Sequence, residues 1–159
     1  MRTEIRSGVG LLFGWDLCAN APLEGVTRVE PVLAARVLES GVKPPPPPGP
    51  RGLDAFGREP KVALPGDEAV YTLIALGRRD ASPEALRPLD AGVRVVGMTS
   101  DVAVLITDRL FAPGDVIEFA LDYEGLVRAV TSPFVVRRFV RHPLRGDAQP
   151  EPWGVRPWR

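Results

Sequence analysis

The stretch from Val70 to Asp108, VYTLIALGRRDASPEALRPLDAGVRVVGMTSDVAVLITD, decides how this chain is read. It holds two apolar runs, Val70 to Leu76 and Val93 to Ile106, joined by a polar segment containing Gly77-Arg78-Arg79-Asp80. Charged groups fall where the apolar runs stop, the places at which a scaffold presents functional side chains to solvent. Within the second run, Val102, Val104 and Ile106 alternate with Ala103, Leu105 and Thr107 and are apolar on nearly both sides, which predicts a central strand. Residue chemistry alone assigns no reaction to this stretch.

Outward from it, turn chemistry and periodicity extend the pattern. Pro65-Gly66 and Pro113-Gly114 each predict a type II turn feeding a strand, because proline presets φ at the second position and glycine accepts positive φ at the third. In Val116 to Leu121, Ile117, Phe119 and Leu121 point one way and Glu118 and Ala120 the other, the period-two signature of a strand with one buried face. Tyr123, Leu126, Val127 and Val130 stand at helical spacing, and Pro133 closes that helix. Phe134 to Val140 reads as a further strand.

Toward the N-terminus, Gly8 to Trp15 is an apolar run punctuated by glycine, predicting a buried strand that another backbone approaches closely. Cys18 to Gly25 and Gly52 to Glu59 read as loops, the latter anchored by Phe56. Val29 to Leu38 reads as a strand although its alternation is not clean. Pro44 to Pro48 predicts an exposed polyproline II rod, read as a stiff surface loop in preference to a recognition motif. From Arg141 onward the prolines and charges predict an irregular tail, with Trp153 and Trp158 as candidate anchors, and Arg145-Gly146-Asp147 is read as chance.

Composition bounds the function classes. A chain of 159 residues suits one domain, and 18 prolines with 16 glycines disfavour long helices, so the class is mostly β. Twenty basic and twenty acidic residues cancel, and neither sign clusters into a nucleic-acid footprint. No apolar run approaches the roughly 20 residues that span a bilayer, and the start lacks the apolar core of a signal peptide, so a cytoplasmic location is expected. One cysteine, Cys18, and one histidine, His142, argue against a disulfide, a zinc site and a nucleophile activated by histidine.

A set of ordered landmarks carries more. They are Arg6-x-Gly8 with Leu12-x-Gly14, Pro22-Leu23-Glu24-Gly25, Asp54-Ala55-Phe56-Gly57 and Ala75-Leu76-Gly77-Arg78-x-Asp80. Leu89-Asp90-x-Gly92, Val96-Gly97-x-x-Ser100-Asp101, Gly114-Asp115-x-x-x-Phe119 and Arg128-Ala129-x-Thr131-Ser132-Pro133 follow. Together, from about Arg6 to Phe139, the chain resembles the pyridoxal-phosphate alanine racemase family, in particular its ornithine-racemase-like branch. The resemblance implies a single β-barrel-like domain with one short helix, akin to that family's C-terminal domain. It divides the chain into residues 1–28, a vestige of the family's last barrel strand with a linker, 29–141, the β-domain, and 142–159, an irregular tail.

The same resemblance implies what the chain lacks. Neither Lys43 nor Lys61 matches the family's cofactor-binding lysine, so the isolated chain is expected to hold no pyridoxal phosphate and to supply no catalytic residue. Cofactor would enter only with a barrel-bearing partner. At the position of the family's tyrosine base stands Arg78, a poor proton acceptor and a good carboxylate clamp. Arg78, Asp80, Ser100 and Asp101 are therefore the candidate substrate contacts, and Arg6 and Gly8 resemble a segment near the cofactor phosphate. The bland readings are an ion pair of Arg78 with Asp80 or Asp101 and a polar turn at Ser100-Asp101. Two functions follow: a stand-alone, non-catalytic binding or structural module, or an accessory subunit completing the site of a separate racemase barrel. A homo-oligomer or such a barrel protein is the expected partner, without nucleic acid or membrane. An exposed apolar patch at Leu11, Leu12 and Phe13 would favour the accessory role.

Overall fold

The computed structural model describes residues 7–26, 29–50, 52–53, 57, 59 and 65–139. In chain order the elements are helix α1 (Val9–Phe13), a small hairpin of β1 (Trp15–Asp16) and β2 (Ala21–Pro22), and strands β3 (Val32–Lys43) and β4 (Ala69–Ile74). A 3₁₀ turn (Pro83–Ala85) then leads into β5 (Leu86–Pro88), followed by β6 (Val93–Met98), β7 (Ala103–Thr107), β8 (Val116–Leu121) and helix α2 (Tyr123–Thr131).

Six strands form one antiparallel sheet in the order β5-β8-β3-β4-β7-β6. The two edge strands, β5 and β6, approach each other, so the sheet is a nearly closed barrel, as the mostly-β expectation required. β3 makes this closure geometrically feasible. Its first half, Val32 to Arg36, pairs with β8, and its second half, from Val37 to Lys43, pairs with β4. The register shifts between Val37 and Glu39, and a bulge of this kind bends a strand and increases its twist.

Inside the barrel lie Leu33, Val37, Ile74, Leu105, Phe119 and Leu121, all buried. In β3 the alternation is clean: Leu33, Ala35 and Val37 face in, while Val32, Ala34, Arg36 and Leu38 face out. Apolar Val32 and Leu38 on the outer face hide that alternation in the sequence. β8 buries Ile117, Phe119 and Leu121 as its pattern predicts. β7 lies between β4 and β6, with neighbours on both sides, and buries Ala103, Leu105 and Thr107.

Past the bulge the inner face turns polar and its hydroxyls pair with one another. The Phe111 N–H donates to Ser40 Oγ at 3.3 Å, Ser40 and Thr72 hydroxyls meet at 2.8 Å, and Thr72 and Thr107 hydroxyls at 3.0 Å. Thr107 Oγ1 donates to the Arg109 carbonyl at 2.8 Å. Because Thr107 spends its proton there, it accepts from Thr72, which accepts from Ser40, so every hydroxyl donates once and accepts once. The relay stitches β3, β4 and β7 without leaving a buried polar group unmet.

Several local expectations are corrected. Gly8 to Trp15 is not a strand: Val9–Phe13 is helical and Gly14 closes it in the left-handed region at φ 59°. A Cβ on Gly8 would stand 2.8 Å from the Tyr123 hydroxyl, so the close approach this glycine permits is to α2, not to a sheet. Phe13 meets Tyr123 edge to face, ring centroids 6.3 Å apart. Of the Pro-Gly pairs, Gly114 has φ 97° and the Asp115 N–H bonds the Ala112 carbonyl at 3.0 Å, the expected turn. Gly66 does not take positive φ.

Phe134 to Phe139 forms no strand, and Phe139 is 99% exposed. On α2, Gly125 and Ala129 face the barrel, whereas Tyr123, Val127 and Val130 of the predicted apolar stripe stay outside. The proline run Pro44 to Pro48 lies outside regular structure and is mostly exposed. Arg6, Asp54 to Phe56, Lys61, His142 and the tail with Trp153, Trp158 and Arg145-Gly146-Asp147 lie outside the described residues. No described helix is long and apolar enough to cross a membrane.

Thr72→Val keeps the shape of Thr72 but strands a buried hydroxyl on each side of it. It is expected to cost about 1–3 kcal/mol in chemical denaturation; a loss near zero would show that the relay contributes nothing.

Candidate functional site

Beyond the end of β4 the chain turns sharply at Gly77 and meets the β6–β7 turn face to face. The Arg78 N–H donates to the Thr99 carbonyl at 2.9 Å and the Arg79 N–H to the Ser100 carbonyl at 3.2 Å. A Cβ on Gly77 would fall 2.0 Å from the Ser100 carbonyl oxygen and 2.3 Å from the Asp101 nitrogen, so only glycine admits this contact. The two loops named from sequence are thereby brought together as one corner of the barrel.

Each candidate residue has a definite place there. Ser100 and Asp101 lie in a polar turn whose ends are tied by Thr99: its N–H bonds the Val102 carbonyl at 2.8 Å and its hydroxyl accepts the Val102 N–H at 3.1 Å. Arg78 is half-buried and donates Nε to the Met98 carbonyl at 3.3 Å, which lays its side chain across the end of β6. Asp80 accepts the Ser132 hydroxyl at 2.6 Å and reaches back toward the Gly77 N–H at 3.4 Å. Through Ser132, which caps the C-terminus of α2, Asp80 joins the corner to the helix.

The ion pair with Asp101 is made by Arg79. Arg79 Nη1 donates to Asp101 Oδ1 at 2.9 Å, and its guanidinium lies 4.3 Å from the centre of the Phe134 ring. Arg78 and Arg79 sit in a tight turn in which the Asp80 and Ala81 N–H groups donate to the Gly77 carbonyl at 2.9 and 3.1 Å, and from it one side chain crosses toward β6 while the other faces the Ser100-Asp101 turn. Sequence reasoning missed Arg79, Ser132 and Phe134; the Thr131-Ser132-Pro133 landmark was the available signal for the second. Asp101 also accepts the Ser100 hydroxyl at 2.6 Å. That bond is the largest influence and holds the Asp101 carboxyl below its usual 3.8; burial opposes it, and the Arg79 guanidinium adds to the lowering.

Ala75, Arg79, Asp80, Asp101 and Phe134 line an open pocket of about 180 Å³ at this corner. A second open hollow, about 480 Å³, lies beside α1 between Gly8, Trp15, Leu23 and Tyr123. At the far end of β7 a different cluster ties two connections together: Arg109 bonds Asp90 and, at 3.1 Å, Asp108, and the Arg109 bond, with the Gly92 N–H after it, holds the Asp90 carboxyl below its usual range. A Cβ on Gly92 would collide with the Asp108 carboxylate at 2.2 Å, so the Asp90-x-Gly92 landmark is structural.

Compared with curated proteins, the chain is 36% identical over 134 residues to the lysine racemase of Thermotoga maritima, a match covering 83% of this chain and 38% of that protein. It is 27% identical over 141 residues to the ornithine racemase of Acetoanaerobium sticklandii, covering 87% of this chain and 40% of that protein. The chain is a partial homologue of these racemases. It spans 38–40% of the length of the curated relatives it matches, consistent with a C-terminal domain of racemase-family proteins. Neither a family model nor a solved structure matches it.

Among the described residues, no lysine is placed at the corner to hold the pyridoxal phosphate that the racemase resemblance brings with it. Lys43 is half-exposed and bonds Glu39 at 3.1 Å on the barrel surface. It pairs with Ala69 at the start of β4, whereas the corner follows Ile74 at the other end, about 17 Å along the strand. Lys61 lies outside the described residues. Among the described residues, no group of His, Cys, Asp or Glu is arranged to hold a metal ion.

Gly77→Ala is expected to destabilise the domain by about 1–3 kcal/mol in denaturant titration, since its methyl meets backbone that cannot rotate away. Ser100→Ala is expected to raise the Asp101 titration midpoint seen by carboxyl NMR. Because the folded value lies below the unfolded one, the stability from this carboxylate is present above the unfolded value near 3.8 and lost as pH falls through the folded value. An unchanged midpoint in the alanine variant would remove Ser100 from the corner.

Proposed function

We propose that this racemase-related domain is non-catalytic by itself and acts as a binding module that completes an amino-acid racemase site, the lysine and cofactor cradle being supplied by another polypeptide segment. Its substrate is an amino acid of the lysine or ornithine kind, the class in the names of the relatives. One observation carries the reading: Gly77 clasps the Ser100-Asp101 turn, so that Arg78, Asp80, Ser100 and Asp101 share one corner, while Lys43 stands at the other end of β4. Among the described residues the corner has contacts to offer and no amine with which to hold the cofactor.

In this role Arg78 binds and orients the substrate carboxylate. A guanidinium offers donors in a fixed fork and has no acceptor, so it holds an anion and takes no proton from Cα. Asp80 positions the loop through Ser132. Ser100 and Asp101 line the approach to the site.

The accessory form of this role, in which the domain works against a partner, is favoured by the outer surface. Phe13 is buried, but Leu11 is 66% exposed and Leu12 is partly exposed, and Tyr123, Val127 and Phe134 are exposed on and beside α2. Apolar side chains left outside in this way favour a partner or self-association.

The chain alone, mixed with pyridoxal phosphate and L-lysine or L-ornithine, is expected to give no D-isomer by chiral chromatography. Recovered from its native extract, it is expected to carry a pyridoxal-phosphate protein and racemase activity, and Arg78→Ala in that complex to lower kcat/KM about 10- to 100-fold. Turnover by the chain alone, or its recovery alone and colourless, would overturn the proposal.

A further inference from the structure

The pocket at the corner has a composition that the carboxylate-binding role of Arg78 does not use. Two carboxylates, Asp80 and Asp101, and one guanidinium, Arg79, line it, so the lining itself carries one more negative than positive charge, while the Arg78 guanidinium of the same corner is laid toward β6 outside that lining. The neutral walls are the Phe134 ring and the Ala75 methyl. Asp101 accepts Ser100 on Oδ2 and Arg79 on Oδ1, and Asp80 accepts Ser132 on Oδ1 and Gly77 on Oδ2. Each carboxylate oxygen has two acceptor sites, so both groups retain capacity for another donor while their existing bonds hold them in place.

We infer that this pocket is a specificity site for the side-chain ammonium of a diamino acid, which it takes between Asp80 and Asp101 with the methylene stem along the Phe134 ring. The size agrees. A pocket of about 180 Å³ that is open to solvent has room for the five heavy atoms of a lysine side chain beyond Cα. An ammonium supplies three donors and one positive charge, which matches the two carboxylates and the net charge of the rim. A neutral aliphatic side chain of equal length would leave that charge unanswered. The aromatic wall suits either the methylenes or the cation, as its contact with Arg79 at 4.3 Å already illustrates.

The inference rests on the reading of the corner as part of a racemase site, but its test uses the chain alone and needs neither cofactor nor partner. In ¹⁵N–¹H spectra of the full chain, L-lysine and L-ornithine are expected to shift the amides of Arg79, Asp101 and Phe134. Norleucine, which is lysine without the ammonium, is expected to shift them with an affinity at least about tenfold weaker. Asp101→Asn, on an exposed turn, is expected to weaken lysine binding about fivefold and to leave resonances of the β3–β8 pairing in place. Phe134→Leu, which keeps an apolar wall without the ring, reports the contribution of the aromatic face. Equal shifts with norleucine, an unchanged lysine affinity in Asp101→Asn, or no shift with lysine at roughly 50 mM, which is weaker than any millimolar site, would each overturn it. Racemisation by a recovered complex despite such a result would leave the proposed function standing and remove only this pocket from it.

Discussion

Everything in this barrel depends on one strand being shared. β3 is long enough to pair with β8 through its first half and β4 through its second, and the register shift between Val37 and Glu39 bends it at the changeover. Without that bend the two strands on one side of β3, β5 and β8, and the three on the other, β4, β7 and β6, would not curl toward each other around Phe119 and Leu105. The bulge also turns the inner face from apolar to polar. Upstream, Leu33, Ala35 and Val37 build a hydrophobic core; downstream, Ser40 begins the hydroxyl relay through Thr72 to Thr107.

The functional corner is a consequence of the same arrangement. β4 delivers the chain to Gly77 at one end of the barrel, and β6 and β7 deliver the Ser100-Asp101 turn to the same end. The absence of one Cβ lets the backbones touch, and their hydrogen bonds hold two loops that would otherwise be independent. Asp80 then extends the connection to α2 through Ser132, and α2 in turn holds the N-terminal segment through Tyr123. Side chains that contribute little to the core are in this way given fixed positions at the surface, a condition for any binding role.

How much of this was legible depended on whether a signal was local. β8 was legible because Ile117, Phe119 and Leu121 alternate with polar or small neighbours, and the Ala112–Asp115 turn because Pro113-Gly114 has one favourable geometry. The barrel itself was legible through ordered landmarks shared with racemases. Gly8 to Phe13 was misread because glycine in an apolar run signals close approach without saying to what, and here the neighbour is Tyr123, far along the chain. Phe134 to Phe139 was misread as a strand because hydrophobicity announces a wish for burial and not the existence of a partner edge. At the corner, the residue types were legible but the pairing was not: Arg78 and Arg79 are chemically identical, and only the path of the backbone sends the second of them to Asp101.

The central claim is that the corner is preformed within this domain, before any partner or cofactor arrives. Amide hydrogen exchange of Arg78 and Arg79 in the isolated chain tests it most directly. If the Gly77 clasp holds, both amides exchange slowly, with protection comparable to that of Leu73 and Val104 in the paired strands. Exchange of both at the rate of an unstructured peptide, in a chain whose strands remain protected, would contradict it.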